Sequence, residues 1–287
     1  MFKIGCHVSA AGGVWNAPKN ASVLECETFQ IFTRPPMGGP APKIDAEAVE
    51  KFKSELTKYK LNDFVVHAPY IVNFGSGKKP TFHGSISIVS DELKRANSLG
   101  AKYVMTHLGS FKDLGQVDGM IQAKAGLKEV LEKYEGNTEF LLEIAAGAGE
   151  VIGDTFEELA ELMEKLVKFK TFGGICFDTQ HAFSSGYDIR DKVSVANTFK
   201  QFDKVIGLKW LKMSHINDSK VDFGGRKDRH EHIGDGKIGE VGFKSMIELL
   251  NSKFNILDSS PFPLILETEH DKVEADIKIL KNLRDKI

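Results

Sequence analysis

Along the whole chain, short runs dominated by Val, Ile, Leu and Phe alternate with longer stretches whose apolar residues recur at helical spacing. The short runs read as buried strands and lie at Lys3 to Val8, Thr28 to Phe32, Asp63 to His67, Tyr103 to His107, Glu139 to Glu143, Gly174 to Asp178, Leu211 to Ile216 and Leu264 to Glu267. Amphipathic helices are predicted over Ala46 to Tyr59, Ser87 to Leu99, Ile121 to Tyr134, Val193 to Val205, Phe243 to Leu250 and Lys272 to Leu283. A further helix follows Asp154-Thr155-Phe156-Glu157, a capping sequence that precedes Leu159, Leu162, Met163 and Leu166. Strand and helix in strict alternation imply parallel strands joined by crossover helices. About eight such strands is the number that closes a (β/α)8 TIM barrel, so the expected architecture is α/β, one barrel domain over residues 1–287 with its site at the C-terminal mouth of the strands.

Two stretches break the alternation. Thr33 to Lys43 holds four of the nine prolines together with Gly38 and Gly39, and cannot be helix interior. Met213 to Gly239 begins as a strand and then becomes, by its composition, a loop too polar and too rich in glycine to pack.

At 287 residues the length fits two average domains or one barrel of about 250 residues, so size alone does not choose. Hydrophobic residues make up 41% and charged residues 27%, the profile of a soluble globular chain. The formal net charge of -2 means that any grip on nucleic acid must come from local charge or bound metal rather than the overall field. Cys6, Cys26 and Cys176 are odd in number and form no Cys-x-x-Cys pair, and are read as reduced core residues. The first residues lack a secretory apolar segment and no apolar run approaches a membrane span, so a cytoplasmic monomer without a membrane partner is expected.

Catalytic groups of such barrels sit at the carboxyl ends of the strands. From the third strand onward the ends are His67, His107, Glu143, Asp178, His215 and Glu267, all of them metal-ligand types. Apolar runs have no packing reason to end repeatedly in imidazole or acid, and such groups are costly to bury unless paired or metal-bound. Each has an ordinary alternative: His67 as a core histidine on a backbone partner, Asp178 and Glu143 as helix caps, His181 as loop surface. Asp228-x-His230 adds a carboxylate and an imidazole within one turn. The nine residues together exceed what one zinc takes, which implies more than one metal. His7 reads as a hydrogen-bonding core residue, and His83, His232 and His270 as solvated.

At these residues the chain resembles the endonuclease IV family of metal-dependent apurinic/apyrimidinic endonucleases. The resemblance runs from Gly5-Cys6-His7-Val8-Ser9-Ala10-Ala11-Gly12-Gly13 through Val66-His67-Ala68-Pro69-Tyr70, Thr106-His107-Leu108-Gly109-Ser110 and Phe177-Asp178-Thr179-x-His181 to His215-x-Asn217-Asp218-Ser219-Lys220, Asp228-Arg229-His230 and Leu266-Glu267-Thr268. It implies a trinuclear zinc site, with manganese an option at one position. His67 and His107 would hold one ion, Glu143 would bridge it to a second held by Asp178, His215 and Glu267, and His181, Asp228 and His230 would hold the third. The implied activity is DNA repair: a metal-activated hydroxide, oriented by Glu143, cleaves the phosphodiester 5′ to an abasic site in double-stranded DNA, leaving a 3′-hydroxyl and a 5′-deoxyribose phosphate. Removal of 3′ blocking groups is implied as well. DNA contacts would fall to Arg34, Met37, Tyr70, Lys220 and Arg229. Three departures stand out: Met37 where the family places an intercalating arginine, Gln180 in place of a cysteine, and Ile144-Ala145 after the bridging glutamate. The competing reading is a metal-dependent sugar isomerase or epimerase of the related xylose-isomerase-like class, which would need no third metal.

Overall fold

The structure is a computed structural model that describes residues 2–254 and 261–287. In chain order the elements are β1 (Phe2–His7), α1 (Ala17–Val23), β2 (Thr28–Ile31), α2 (Ala46–Tyr59), β3 (Phe64–His67), α3 (Lys79–Leu99), β4 (Tyr103–Thr106), α4 (Gln116–Glu132), β5 (Glu139–Glu143), α5 (Phe156–Met163), β6 (Phe172–Asp178), α6 (Thr179–Ser185), α7 (Lys192–Val205), β7 (Leu211–His215), β8 (Asp218–Ser219), β9 (His230–Glu231), α8 (Gly239–Phe254), β10 (Phe262–Leu266) and α9 (Val273–Arg284). Eight of the strands close into a parallel barrel in the order β1-β10-β7-β6-β5-β4-β3-β2, as the alternation predicts.

Local sequence explains several boundaries. Thr155 caps α5 by accepting from the backbone N–H of Glu158, while Gly100 ends α3 in the left-handed region that a residue without Cβ adopts freely. α3 is longer than its periodic core suggests, because Pro80 sits in its first turn, where the missing N–H costs nothing. α1 and α6 were not predicted: each is only seven residues, too short to register a helical period.

The core has two parts. A large shell between strands and helices includes Phe29, Phe64, Phe140, Phe177, Phe202 and Phe243. Inside the barrel, Val65, Tyr103, Met105, Leu141, Cys176, Met213 and Ile265 form a separate cluster. That inner layer is the floor on which the site stands. Cys6, Cys26 and Cys176 are free and buried, and Cys6 Sγ lies 3.6 Å from Cys26 Sγ.

Candidate metal centre

Side chains alternate between the two faces of a strand, so a residue two positions beyond an interior residue faces the same axis one level higher. Counting two on from Val65, Met105, Leu141, Cys176, Met213 and Ile265 gives His67, His107, Glu143, Asp178, His215 and Glu267. The strand pattern therefore stacks six ligand-type groups directly above an apolar floor. β1 and β2 complete the tier with His7 and Gln30, which are cross-strand partners.

Glu143 is at the centre. Its Oε2 is 3.1 Å from His67 Nε2 and 3.6 Å from His107 Nδ1, and its Oε1 is 2.7 Å from His215 Nδ1. His215 Nδ1 also lies 3.4 Å from Glu267 Oε2 and 3.8 Å from Asp178 Oδ2. Farther round the mouth, Asp228 Oδ1 is 3.4 Å from both His181 Nε2 and His230 Nε2, and His230 Nε2 is 3.7 Å from Asp178 Oδ2. Among the described residues, the ligand atoms of His67, His107 and Glu143 all lie within 4.8 Å of one another; the same holds for Glu143, Asp178, His215 and Glu267, and for Asp178, His181 and His230. Asp178 thus belongs to two sets, a sharing that the sequence did not indicate.

These sets fit a metal on two grounds. Tetrahedral zinc with bonds of about 2.1 Å places its donors about 3.4 Å apart, close to the separations here. Second, among the described residues His181 Nε2 and His230 Nε2 are buried and make no hydrogen bond, each standing 3.4 Å from Asp228 Oδ1, an arrangement that costs free energy and that a cation between them would satisfy. The opposite ring nitrogens are tied down. His67 Nδ1 donates to Ala68 O at 2.6 Å, and His181 Nδ1 to Ile144 O at 2.9 Å, so each ring turns Nε2 toward the cluster. The ordinary roles weighed for His67 and Asp178 coexist with this: His67 does have its backbone partner, and Asp178 does cap α6 by accepting from His181 N. His181 is no loop residue but a buried member of that helix.

Burial pushes each of these groups toward its neutral form, and mutual attraction overrides it. Burial lowers His181, but Asp178, Asp228 and Glu143 raise it to about 10. Burial raises Glu143 and Glu267, but His107 and His215 hold the first well below the usual carboxylate range, and His215 foremost brings the second to about 2. His107 departs in the other direction, lowered by burial that Glu143 only partly offsets. Glu143 and Glu267 are therefore held in the ionised form beside His67, His181 and His215, whose hold on a proton their acidic neighbours strengthen, so a cation would enter by displacing protons from these imidazoles.

The loop after β7 is more ordered than its composition suggests. β8 and β9 pair antiparallel, with Ser219 opposite His230, and so hold Asp228 and His230 over the mouth. Buried Asp218 organises the turn by accepting four backbone N–H groups: Ser219 at 2.7 Å, Ile238 at 2.8 Å, Gly234 at 3.0 Å and Gly239 at 3.1 Å. Gly236 permits this packing, since a Cβ there would lie 2.4 Å from Asp218 Oδ1. The expectation of a solvated His232 is corrected: it is buried, with Nδ1 2.7 Å from Asp276 and Nε2 3.1 Å from Asp271, and it pins the loop to α9. Gln180, one of the departures, donates to Lys227 O at 2.9 Å and so steadies the residue preceding Asp228. Ile144 and Ala145 contribute backbone carbonyls, to His181 and Ser185, that any residue pair supplies.

The expected DNA contacts divide. Met37 is 78% and Tyr70 52% exposed, on neighbouring loops joined by Tyr70 N to Pro36 O, and the Tyr70 ring packs against Phe32 and His107. Arg229 and Lys220 are exposed, Lys220 with Nζ 3.6 Å from Glu269. Arg34 is different: its guanidinium is turned inward onto Asp91 and Glu92 and is not a free cation. Sequence reasoning missed Gln30, because the apolar run continues past it to Phe32; reading inward-facing positions rather than strand ends would have found it.

The model of the xylose isomerase-like TIM barrel family matches residues 18–283. A probable endonuclease 4 from Nitrosopumilus maritimus (strain SCM1) is 38% identical over 286 residues, covering 99% of each chain. The crystal structure of endonuclease IV from Thermus thermophilus aligns with a TM-score of 0.83 at 28% identity, covering 99% of this chain and 100% of that one. A D-tagatose 3-epimerase-like protein, with a TM-score of 0.75 at 20% identity over 99% of this chain and 98% of its own, shares the fold alone. The chain belongs to the endonuclease 4 family of xylose isomerase-like TIM barrels.

Proposed function

We propose that this protein is a DNA repair enzyme, an apurinic/apyrimidinic endonuclease that hydrolyses the phosphodiester 5′ to an abasic site and also removes 3′ blocking groups. What carries the reading is the convergence of nine ligand-type side chains, spread from His67 to Glu267, on one mouth in a chain 38% identical over its length to a probable endonuclease 4. Three zinc ions would be held by His67 and His107 with Glu143; by Glu143, Asp178, His215 and Glu267; and by His181 and His230 with Asp228, which lies 3.4 Å from both and outside the closest grouping that they form with Asp178, with manganese an option at one position. When bound, zinc supplies Lewis acidity toward phosphate oxygens and acidifies water at neutral pH.

The chain's own residues do the rest. Glu143, ionised and between the first two sets, orients the attacking water. An abasic nucleotide has lost its stacking, so it is extruded at little cost, and exposed Met37 and Tyr70 fill the gap it leaves. Arg229 and Lys220 meet phosphates at the rim. Arg34 is assigned to bracing the loop below Met37 rather than to phosphate.

The test is elemental analysis of purified protein together with nicking of a duplex carrying one tetrahydrofuran abasic analogue, without added magnesium. Zinc near three per chain and incision 5′ to the analogue are expected. Epimerisation or isomerisation of a pentose without any nicking would overturn the assignment.

A further inference from the structure

Gln30 is fully buried on β2, one position short of the strand's end, and lies outside every ligand set. Both polar atoms of its side chain are directed at the tier of the proposed metal centre. Nε2 donates to Glu267 Oε1 at 2.6 Å and lies 3.1 Å from His7 Nδ1, while Oε1 is 2.7 Å from His215 Nε2.

Chemistry fixes the direction of each bond. The Glu267 carboxylate only accepts, so the amide nitrogen must face it. The amide oxygen then faces His215, and as an oxygen that only accepts it requires His215 to carry its proton on Nε2. With its Nε2 proton so committed, the nitrogen that His215 can offer a cation is Nδ1, the atom 3.4 Å from Glu267 Oε2 and 2.7 Å from Glu143 Oε1. The second amide proton goes to His7 Nδ1, so His7 locks the amide against rotation, and the His7 ring is itself packed 4.5 Å from Phe32. One amide thus sets the tautomer of one ligand and selects which oxygen of another is left for a cation.

We propose that Gln30 is the positioning residue of the buried cation set, holding His215 and Glu267 in the one arrangement that presents His215 Nδ1 and Glu267 Oε2 to the same ion. The assignment rests on the metal-centre reading given above. It also explains how two ligands whose side chains meet no backbone partner among the described residues reach the order that His67 and His181 obtain from carbonyl oxygens. Losses of such outer contacts weaken metal sites by about 10- to 100-fold.

The experiment compares wild type with Gln30→Met, which keeps volume and removes every bond, and Gln30→Glu, which keeps the acceptor for His215 but sets a second carboxylate against Glu267. Zinc affinity is read by chelator competition, the ligand field by the visible spectrum of the cobalt-loaded protein, and kcat and KM on the abasic analogue duplex separately. Both variants are expected to lose about 10- to 100-fold in affinity for one zinc while the others stay. The cobalt spectrum should change, and kcat should fall with KM for the duplex unmoved. Melting of the chelated proteins controls for folding; should Gln30→Met fail to fold, Gln30→Glu decides alone. Wild-type zinc affinity and spectrum in a folded variant would overturn the proposal for Gln30 while leaving the metal centre intact. A wild-type protein that takes up no zinc would instead remove the reading beneath it.

Discussion

Asp218 offers the sharpest test of how the mouth is built, because its carboxylate is fully buried and accepts from four backbone N–H groups of the loop that carries Asp228 and His230. In Asp218→Asn the volume is unchanged, but the amide nitrogen must face either the Ser219 and Ile238 donors or the Gly234 and Gly239 donors. Two N–H groups lose their acceptor whichever way it turns, and the cheaper orientation strands the partly buried Gly234 and Gly239 groups rather than the buried Ser219 and Ile238 groups. At about 1 to 3 kcal/mol for each orphaned group, the range is roughly 2 to 6 kcal/mol, and its lower end applies. For a chain of this size about 2 to 4 °C accompanies each kcal/mol, so the lower bound alone predicts a fall of about 4 to 8 °C in the melting temperature. The loop is also what sets His230 against Asp178, so zinc at the His181, Asp228 and His230 set should be lost first. Thermal melts of chelated and zinc-loaded protein, with zinc counted per chain, provide the assay. A variant within about 0.5 kcal/mol of wild type and fully loaded with zinc would refute the claim that this carboxylate organises the loop, since that is the range of an ordinary surface change.

Three other outcomes follow from the same geometry. His230→Ala should cut nicking by orders of magnitude and lower the zinc count while leaving duplex affinity within a fewfold, as read by gel shift; wild-type turnover would contradict its role. Met37→Ala should narrow the preference for an abasic over an intact duplex, and unchanged discrimination would show that it does not fill the gap. His232 concerns pH: burial works to lower its pKa, but Asp276 and Asp271 leave it raised above the ordinary histidine value. A raised folded-state pKa adds stability that is fully present below the unfolded value of about 6.5 and is lost as pH rises through the folded one. The melting-temperature gap between wild type and His232→Gln should therefore be widest in mildly acidic buffer and shrink toward alkaline pH, and a gap independent of pH would argue against the ion pair.

The barrel was legible because its signal is repeated. Every parallel strand buried on both faces must be a near-continuous apolar run, so eight independent segments carry the same message, and errors of one or two residues at their ends do not alter the count. The six ligand-type strand ends were legible for a related reason: a hydrophobic run that stops on His or acid breaks its own pattern, as at Phe64–His67 and Phe172–Asp178. His232 and Gln30 carry no such break. His232 sits in a polar loop, where composition predicts exposure, and only the distant Asp276 on α9 makes it buried. Gln30 lies inside an apolar run, so it reads as an interruption of a strand rather than as the end of one.

What separates the two kinds of residue is the range of the interaction that defines them. A ligand at a strand end announces itself locally, by the cost of burying it. A residue that orients ligands is defined by partners such as Glu267, 237 positions away, and its own neighbours in sequence contain nothing of that relation. The same logic bears on the departures from the family pattern. Gln180 and Ile144-Ala145 replace side chains next to ligands, yet the bonds that reach His181 and the Asp228 loop run through the Ile144 carbonyl and the Gln180 amide, both of which this chain supplies. Met37 is the departure with no such backbone equivalent, because the role proposed for it, filling the space left by a missing base, would depend on the shape of the side chain itself. Differences between this protein and its relatives should therefore appear in which duplexes are chosen, and far less in how the phosphodiester is cut.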